Sequence, residues 1–141
     1  PKLIDRFQVQ GKSSFVILHQ NSNAAIDSLV LCKFTNMGVA DEYFARVLSA
    51  VTGIQYATGD MIKVGERVWN LEKLYNLREG FRRKDDTLPP RLLTEAPTDG
   101  PSQGWVVQLE PMLKEYYRGR GWDENGVPKK QKLQELGLVD L

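Results

Sequence analysis

The sequence predicts a mainly α fold, an irregular multi-helix bundle carrying one long Pro/Gly-rich loop. Apolar residues recur at three- and four-residue steps over several segments, the spacing of a helix face. Strand-type signals are few, GWVVQL at 104–109 being the best of them. No internal repeat is present, so the helices are expected to pack without symmetry.

From Lys12 to Leu31 the apolar set Phe15, Val16, Leu18, Ala24, Ala25, Ile26 and Leu29 predicts a first helix, interrupted by polar residues from His19 to Asn23. A break at 35–38 separates it from ADEYFARVLSAVTG, where Tyr43, Phe44, Val47, Leu48 and Val51 form an apolar face and Gly53 suits a C-terminal cap. Thr58 is the expected N-cap of a third, central helix running to Leu77, with Glu66, Glu72, Lys73 and Asn76 as its solvated positions. Residues 80–104 concentrate charge, proline and glycine and read as a loop. Irregular connections of that length are commonly functional or packed across another surface. LEPMLKEYYR predicts a fourth helix stopped by Gly119 and Gly121, and Pro128 opens a last one ending at Gly137.

A chain of 141 residues suits one domain with a single core. Its 19 basic and 18 acidic side chains leave a charge of +1, which argues against nucleic acid as a partner. One cysteine excludes a disulfide framework and agrees with a reducing compartment. No apolar run approaches the roughly 18 residues of a membrane span, and no signal-peptide pattern is present. The expected location is the cytoplasm, away from membranes. The chain begins at Pro1 rather than Met, which suggests a piece of something longer.

Cys32 is either a small buried thiol or one ligand of a metal or iron-sulfur site completed elsewhere. A nucleophilic role lacks a base, since His19 is the sole histidine and lies thirteen residues away. Asp27, in a mostly apolar stretch, must be paired, capping or ligand-bound if buried. His19, Asn23 and Asp27 follow at spacings of four, so one helix carries all three as a stripe that faces either water or a ligand. In YYRGRGW, residues 116–122, the aromatic and arginine side chains suit base stacking or a helix interior and its end. The pairs Asp85-Asp86 and Asp123-Glu124 match no calcium loop or paired-acid spacing and are assigned to solvent. No phosphate-cradling glycine loop occurs.

GERVWNLEKLYNLREGF at 65–81, DTLPPRLL at 86–93, the Gly100-Pro101 pair and LKEYYRGRGWDENGVP at 113–128 closely resemble the C-terminal end of the tungsten-containing aldehyde ferredoxin oxidoreductase family. Together these markers cover more than half of the chain. Upstream, IDSLVLCKF resembles the family's DxxGLC element, with Asp27 in the aspartate place, Leu31 in the leucine place and Cys32 in the cysteine place. Val30 stands where the pattern has glycine, which bears on how closely backbone approaches a cofactor.

The resemblance implies a site in which Asp27 and Leu31 contact a tungstopterin and Cys32 ligates a 4Fe-4S cluster, with His19 a further candidate contact through the polar stripe. Such enzymes oxidise an aldehyde to its carboxylic acid at tungsten or molybdenum and pass electrons through the cluster to ferredoxin. Residues 1–141 are then the C-terminal helical domain, the N-terminal pterin-binding domain and the middle helical domain lying outside the chain. The other three cluster thiolates, expected in a CxxCxxxC string, are absent from the sequence, so the fragment alone is expected to be inactive. The loop at 80–104 is expected to pack on a neighbouring domain. The alternative is a cofactor-free helical module that keeps the family fold and binds a protein partner.

Overall fold

The structure, a computed structural model, describes residues 5–139; both ends of the 1–141 domain assignment lie outside that range. Six α-helices follow in order among the described residues: α1 Lys12–Ser28, α2 Asp41–Thr52, α3 Thr58–Arg78, α4 Pro90–Thr94, α5 Leu109–Arg120 and α6 Lys130–Leu136. Two 3-10 turns, Lys33–Met37 and Arg83–Asp85, complete the helical content. The mainly α expectation holds.

Helix α3 is central, as its many-sided apolar pattern predicts: α1, α2 and α6 all pack on it, and α5 packs on α1. The principal core joins Ala25 and Ile26 of α1, Phe44 and Ala45 of α2 and Met61 of α3, with Leu29 and Tyr56 against them. Tyr117 and Trp122 are also buried, with ring centroids 5.9 Å apart, as are Leu136 and Leu138. Burying large aromatic and aliphatic side chains such as these is worth about 2 kcal/mol each.

Helix ends are closed by side chains distant in sequence as well as by local signals. Glu115 of α5 accepts hydrogen bonds from Gly11 N at 2.9 Å and from Ser13 Oγ at 2.7 Å, placing a carboxylate at the positive end of α1. Gly53, Gly121 and Gly137 adopt left-handed backbone just past α2, α5 and α6.

Several sequence expectations are corrected. The first helix stops at Ser28 rather than Leu31, because Val30 takes a left-handed φ of 57°. The third begins with Thr58 itself; Asp60 accepts from Ala57 N at 2.9 Å, so a carboxylate inside the first turn replaces the hydroxyl cap. Gly119 lies inside α5, close against α1, where a β-carbon would stand 2.7 Å from the end of the Ile17 side chain at Cδ1. Pro128 does not open the last helix. It pairs with Trp122 in an isolated antiparallel bridge that closes a tight turn, and α6 starts at Lys130.

GWVVQL forms no strand: its N–H groups bond to scattered carbonyls, Gly104 N to Pro97 O at 3.0 Å, Trp105 N to Ser102 O at 3.1 Å and Val107 N to Leu92 O at 3.0 Å, so no neighbouring segment completes a ladder. The 80–104 segment is not wholly irregular, as it holds a 3-10 turn and α4, with Pro90 at a position where a missing N–H costs nothing. Its end folds back on the N-terminal segment, where Trp105 stacks on Phe7 with ring centroids 4.6 Å apart.

Candidate functional site

The corner where α1 ends carries both Asp27 and Cys32. Backbone bonds pin each side: Val30 N donates to Asp27 O at 2.9 Å, and Cys32 O accepts from Thr35 N at 3.0 Å and Thr35 Oγ1 at 2.6 Å. Between them Val30 is the one non-glycine residue with positive φ among those described, and its side chain is 92% exposed. A β-branched residue in that region costs about 1–2 kcal/mol. The turn swings residues 30–34 off the helix surface, so Leu31, Cys32 and Phe34 face outward. Cys32 is therefore exposed, which corrects the buried-thiol alternative. Asp27 is exposed as well and makes no side-chain hydrogen bond among the described residues, so its carboxylate is not a structural one.

Asp27 opens onto a cleft of about 390 Å³ between α1 and α3, lined also by Gln20, Asn23, Lys33, Trp69 and Glu72. Asn23 and Asp27 thus share a wall, as the stripe predicts. His19 is exposed and does not line this cleft. The helix repeat explains the difference: seven residues return a side chain to within about 20° of the same direction, whereas eight overshoot. Gln20, seven residues before Asp27, holds the place that the spacing of four assigned to His19.

Beneath Gln20 lies a fully buried guanidinium. Arg120 donates from Nη2 to Gln20 Oε1 at 2.7 Å, from Nη1 to Asn21 Oδ1 at 2.5 Å and from Nε to Tyr116 Oη at 3.0 Å. Its carbon centre stands 5.3 Å from the Trp69 ring and 5.4 Å from that of Tyr116. Burial lowers its pKa from the ordinary arginine value, against which the Tyr116 contact pulls it back. The polar break seen in the first helix, residues 19–23, is what receives this cation. YYRGRGW accordingly builds an interior, with Arg120 and Trp122 both buried.

A neighbouring cavity of about 530 Å³ shares Gln20, Trp69 and Glu72 with the cleft and continues to Lys73, Asp86, Tyr117 and Trp122. Lys73, expected in solvent, is buried: its Nζ lies 3.0 Å from Asp86 Oδ2 and 5.2 Å from the Trp122 ring. Asp86, likewise assigned to solvent, accepts from Tyr117 Oη at 2.5 Å. Burial first, then Asp86, pushes the Tyr117 hydroxyl well above the usual tyrosine range. The carboxylate of Asp86 anchors the 80–104 segment to α3 and α5, which gave no local signal in sequence. Asp123 also departs from the solvent assignment, since it accepts from Asn125 N and Val127 N, both at 2.9 Å.

Among the described residues no group of three or more His, Cys, Asp or Glu side chains could hold a metal ion, and no helix is long and apolar enough to cross a membrane. Cys32 and Asp27 fit a cofactor as one edge of a larger site. A single exposed thiol can ligate one iron, and a free carboxylate in an open cleft can accept from an amino heterocycle.

Residues 1–138 match the family described as aldehyde ferredoxin oxidoreductase, domains 2 and 3. The chain is 46% identical over 131 residues to the tungsten-containing aldehyde ferredoxin oxidoreductase of Pyrococcus abyssi and 44% identical to that of Pyrococcus furiosus, in each case over 92% of this chain and 22% of the relative. It is 32% identical to an aliphatic sulfonate oxidoreductase, WOR-like subunit, of Pyrococcus furiosus, over 82% of this chain and 20% of that protein. The chain thus spans about a fifth of the length of these relatives. Its fold is also that of part of the active site complex BamBC of benzoyl coenzyme A reductase, with a TM-score of 0.75 at 22% identity, over 96% of this chain and 20% of that one.

Proposed function

Because this chain belongs to the aldehyde ferredoxin oxidoreductase family, we propose that it is the C-terminal helical domain of an oxidoreductase converting aldehydes to carboxylic acids at a tungstopterin centre. The observation that carries this reading is the α1 corner, where Asp27 and Cys32 are both exposed and their backbone is pinned by hydrogen bonds. Asp27 accepts from the amino edge of the pterin, Leu31 packs against it, and Cys32 supplies one thiolate to a 4Fe-4S cluster. When bound, the tungstopterin supplies the two-electron oxidation and the cluster the electron exit towards ferredoxin. The remaining thiolates come from other domains of the same polypeptide. His19, which lies outside the Asp27 cleft, would reach the cofactor only beyond the edge of that cleft; His19→Ala with unchanged pterin content and kinetics would remove it.

Two surfaces support a place within a larger enzyme. The apolar face of helix α2 is only partly covered, Phe44 and Ala45 being buried while Tyr43, Val47 and Val51 are exposed, and Phe34 and Met37 are exposed beside Cys32. An apolar helix face wider than the core that covers it suits burial against a second body. The same reading has residues 80–104 pack on a neighbouring domain, which limited proteolysis of the enzyme and of this chain would test; equal cleavage in both would count against it. The whole enzyme works in the cytoplasm.

The second reading, a cofactor-free interaction module, draws on Val30, whose side chain stands at the cofactor approach. Its φ of 57° is nevertheless a conformation that glycine favours, which supports the first reading. Metal analysis of the anaerobically purified enzyme containing this chain, beside its Cys32→Ala variant, separates the two. Tungsten or molybdenum with about four irons, and iron lost in the variant, is the expected result. Metal-free protein, or iron indifferent to the substitution, would leave only the fold in common.

A further inference from the structure

The hydrogen bonds beneath the cleft have a direction fixed by chemistry. A guanidinium only donates, so the Gln20 atom facing Arg120 Nη2 is the amide oxygen. The Tyr116 hydroxyl accepts from Trp69 Nε1 at 2.9 Å and from Arg120 Nε at 3.0 Å, both obligatory donors. Its one proton is thus left for Gln20 Oε1, 2.8 Å away. Both acceptor positions of that oxygen are then filled, and the amide cannot flip without facing N–H against N–H.

The consequence is a presented donor. The amide nitrogen of Gln20 is turned away from the buried cation, meets no acceptor among the described residues, and belongs to a side chain lining both the Asp27 cleft and the neighbouring cavity. A cation on the oxygen side polarises the amide and strengthens its N–H groups as donors. Seven residues of helix separate Gln20 from Asp27, placing them on one face with about 10 Å between their α-carbons.

We propose that Gln20 is a positioning residue for the cofactor of this cleft, donating N–H hydrogen bonds to a carbonyl oxygen of a planar heterocycle whose amino edge is accepted by Asp27. A molecule carrying a donor edge and an acceptor oxygen meets a carboxylate at one end of the cleft and a locked amide at the other. Arg120 and Tyr116 act through Gln20 and do not themselves touch the ligand. The inference rests on the pterin reading of Asp27 given above and adds the group that orients the opposite end.

Gln20→Glu isolates the donor. The carboxylate keeps both inward bonds, now paired with Arg120, and loses only the outward N–H groups. Pterin retained per polypeptide would be followed during anaerobic dialysis of the full-length enzyme, together with thermal unfolding of its cofactor-free form. The expected result is pterin loss faster by on the order of tenfold, with unfolding temperature equal or higher. Retention at the wild-type rate would overturn the proposal, and Asp27→Ala tells which reading has failed. Pterin lost in Asp27→Ala but kept in Gln20→Glu removes Gln20 alone, whereas wild-type enzyme without pterin removes the reading on which it rests. Should Gln20→Glu not accumulate folded, Gln20→Met, which also loses the acceptor of Arg120 and Tyr116, is compared at a temperature where its cofactor-free form stays folded: rapid pterin loss there supports the proposal, and wild-type retention overturns it.

Discussion

Gly65 of α3 passes so near Asn21 of α1 that a β-carbon on it would lie 1.7 Å from the Asn21 carbonyl oxygen. Glycine here serves close approach, since its φ lies outside the left-handed region. The crossing brings Asn21 over the core, where its side chain accepts from Arg120. Helix propensity alone would favour alanine at this position by about 1 kcal/mol. Sterics reverse that: Gly65→Ala must part α1 from α3 and is expected to destabilise by about 3 kcal/mol. Urea unfolding measures it, and an unchanged midpoint would mean that the two helices do not cross so closely.

Val30→Gly should act in the opposite direction. The side chain is almost wholly exposed and the backbone is left-handed, so its removal sacrifices no packing and relieves strain. Greater chain entropy in the unfolded state offsets part of the gain, leaving stabilisation of about 0.5–1 kcal/mol. A loss of stability in thermal unfolding would show that the Val30 side chain makes contacts within the chain that outweigh its strain.

Asn70 is fully buried on α3 and bridges two elements, accepting from Trp122 Nε1 at 2.8 Å and donating to Glu66 O at 2.8 Å. Asn70→Ala orphans the buried indole N–H and should cost about 3 kcal/mol. In a Trp122→Phe background the same substitution should cost clearly less, because no donor is left unpaired. Equal costs in both backgrounds would detach Asn70 from the indole.

Tyr117 gives the fold an alkaline limit. Its pKa is raised, by burial first and then by Asp86, above the ordinary value of 10.0. The folded state therefore binds this proton more tightly, so ∂ΔG/∂pH for unfolding is negative above that value. The contribution is complete below 10.0 and is lost as pH rises through the higher folded pKa. Tyr117→Phe removes the dependence: the difference in stability between wild type and variant should be flat below pH 10 and shrink above it, read by denaturant titrations across the range. A difference that stays constant at high pH would contradict the Tyr117–Asp86 contact.

Local chemistry alone made much of the molecule legible. Helices α2, α3 and α5 follow from three- and four-residue apolar steps, and Gly53, Gly121 and Gly137 mark ends because a left-handed residue is cheapest without a side chain. Asp27 and Cys32 are marked in the sequence by their residue types and by the motif around them. What sequence could not supply was the partner of each polar side chain. Lys73 and Glu72 are neighbours on one helix, yet Lys73 is buried on Asp86 and Glu72 stays exposed. Arg120 reaches Gln20 across 100 residues, and that contact alone sets which way the Gln20 amide points. Periodicity reports which face of a helix is apolar, a property of neighbours in the chain. Whether a charge on that helix meets water or a counter-group depends on how faces dock, and docking is settled only when the whole core closes.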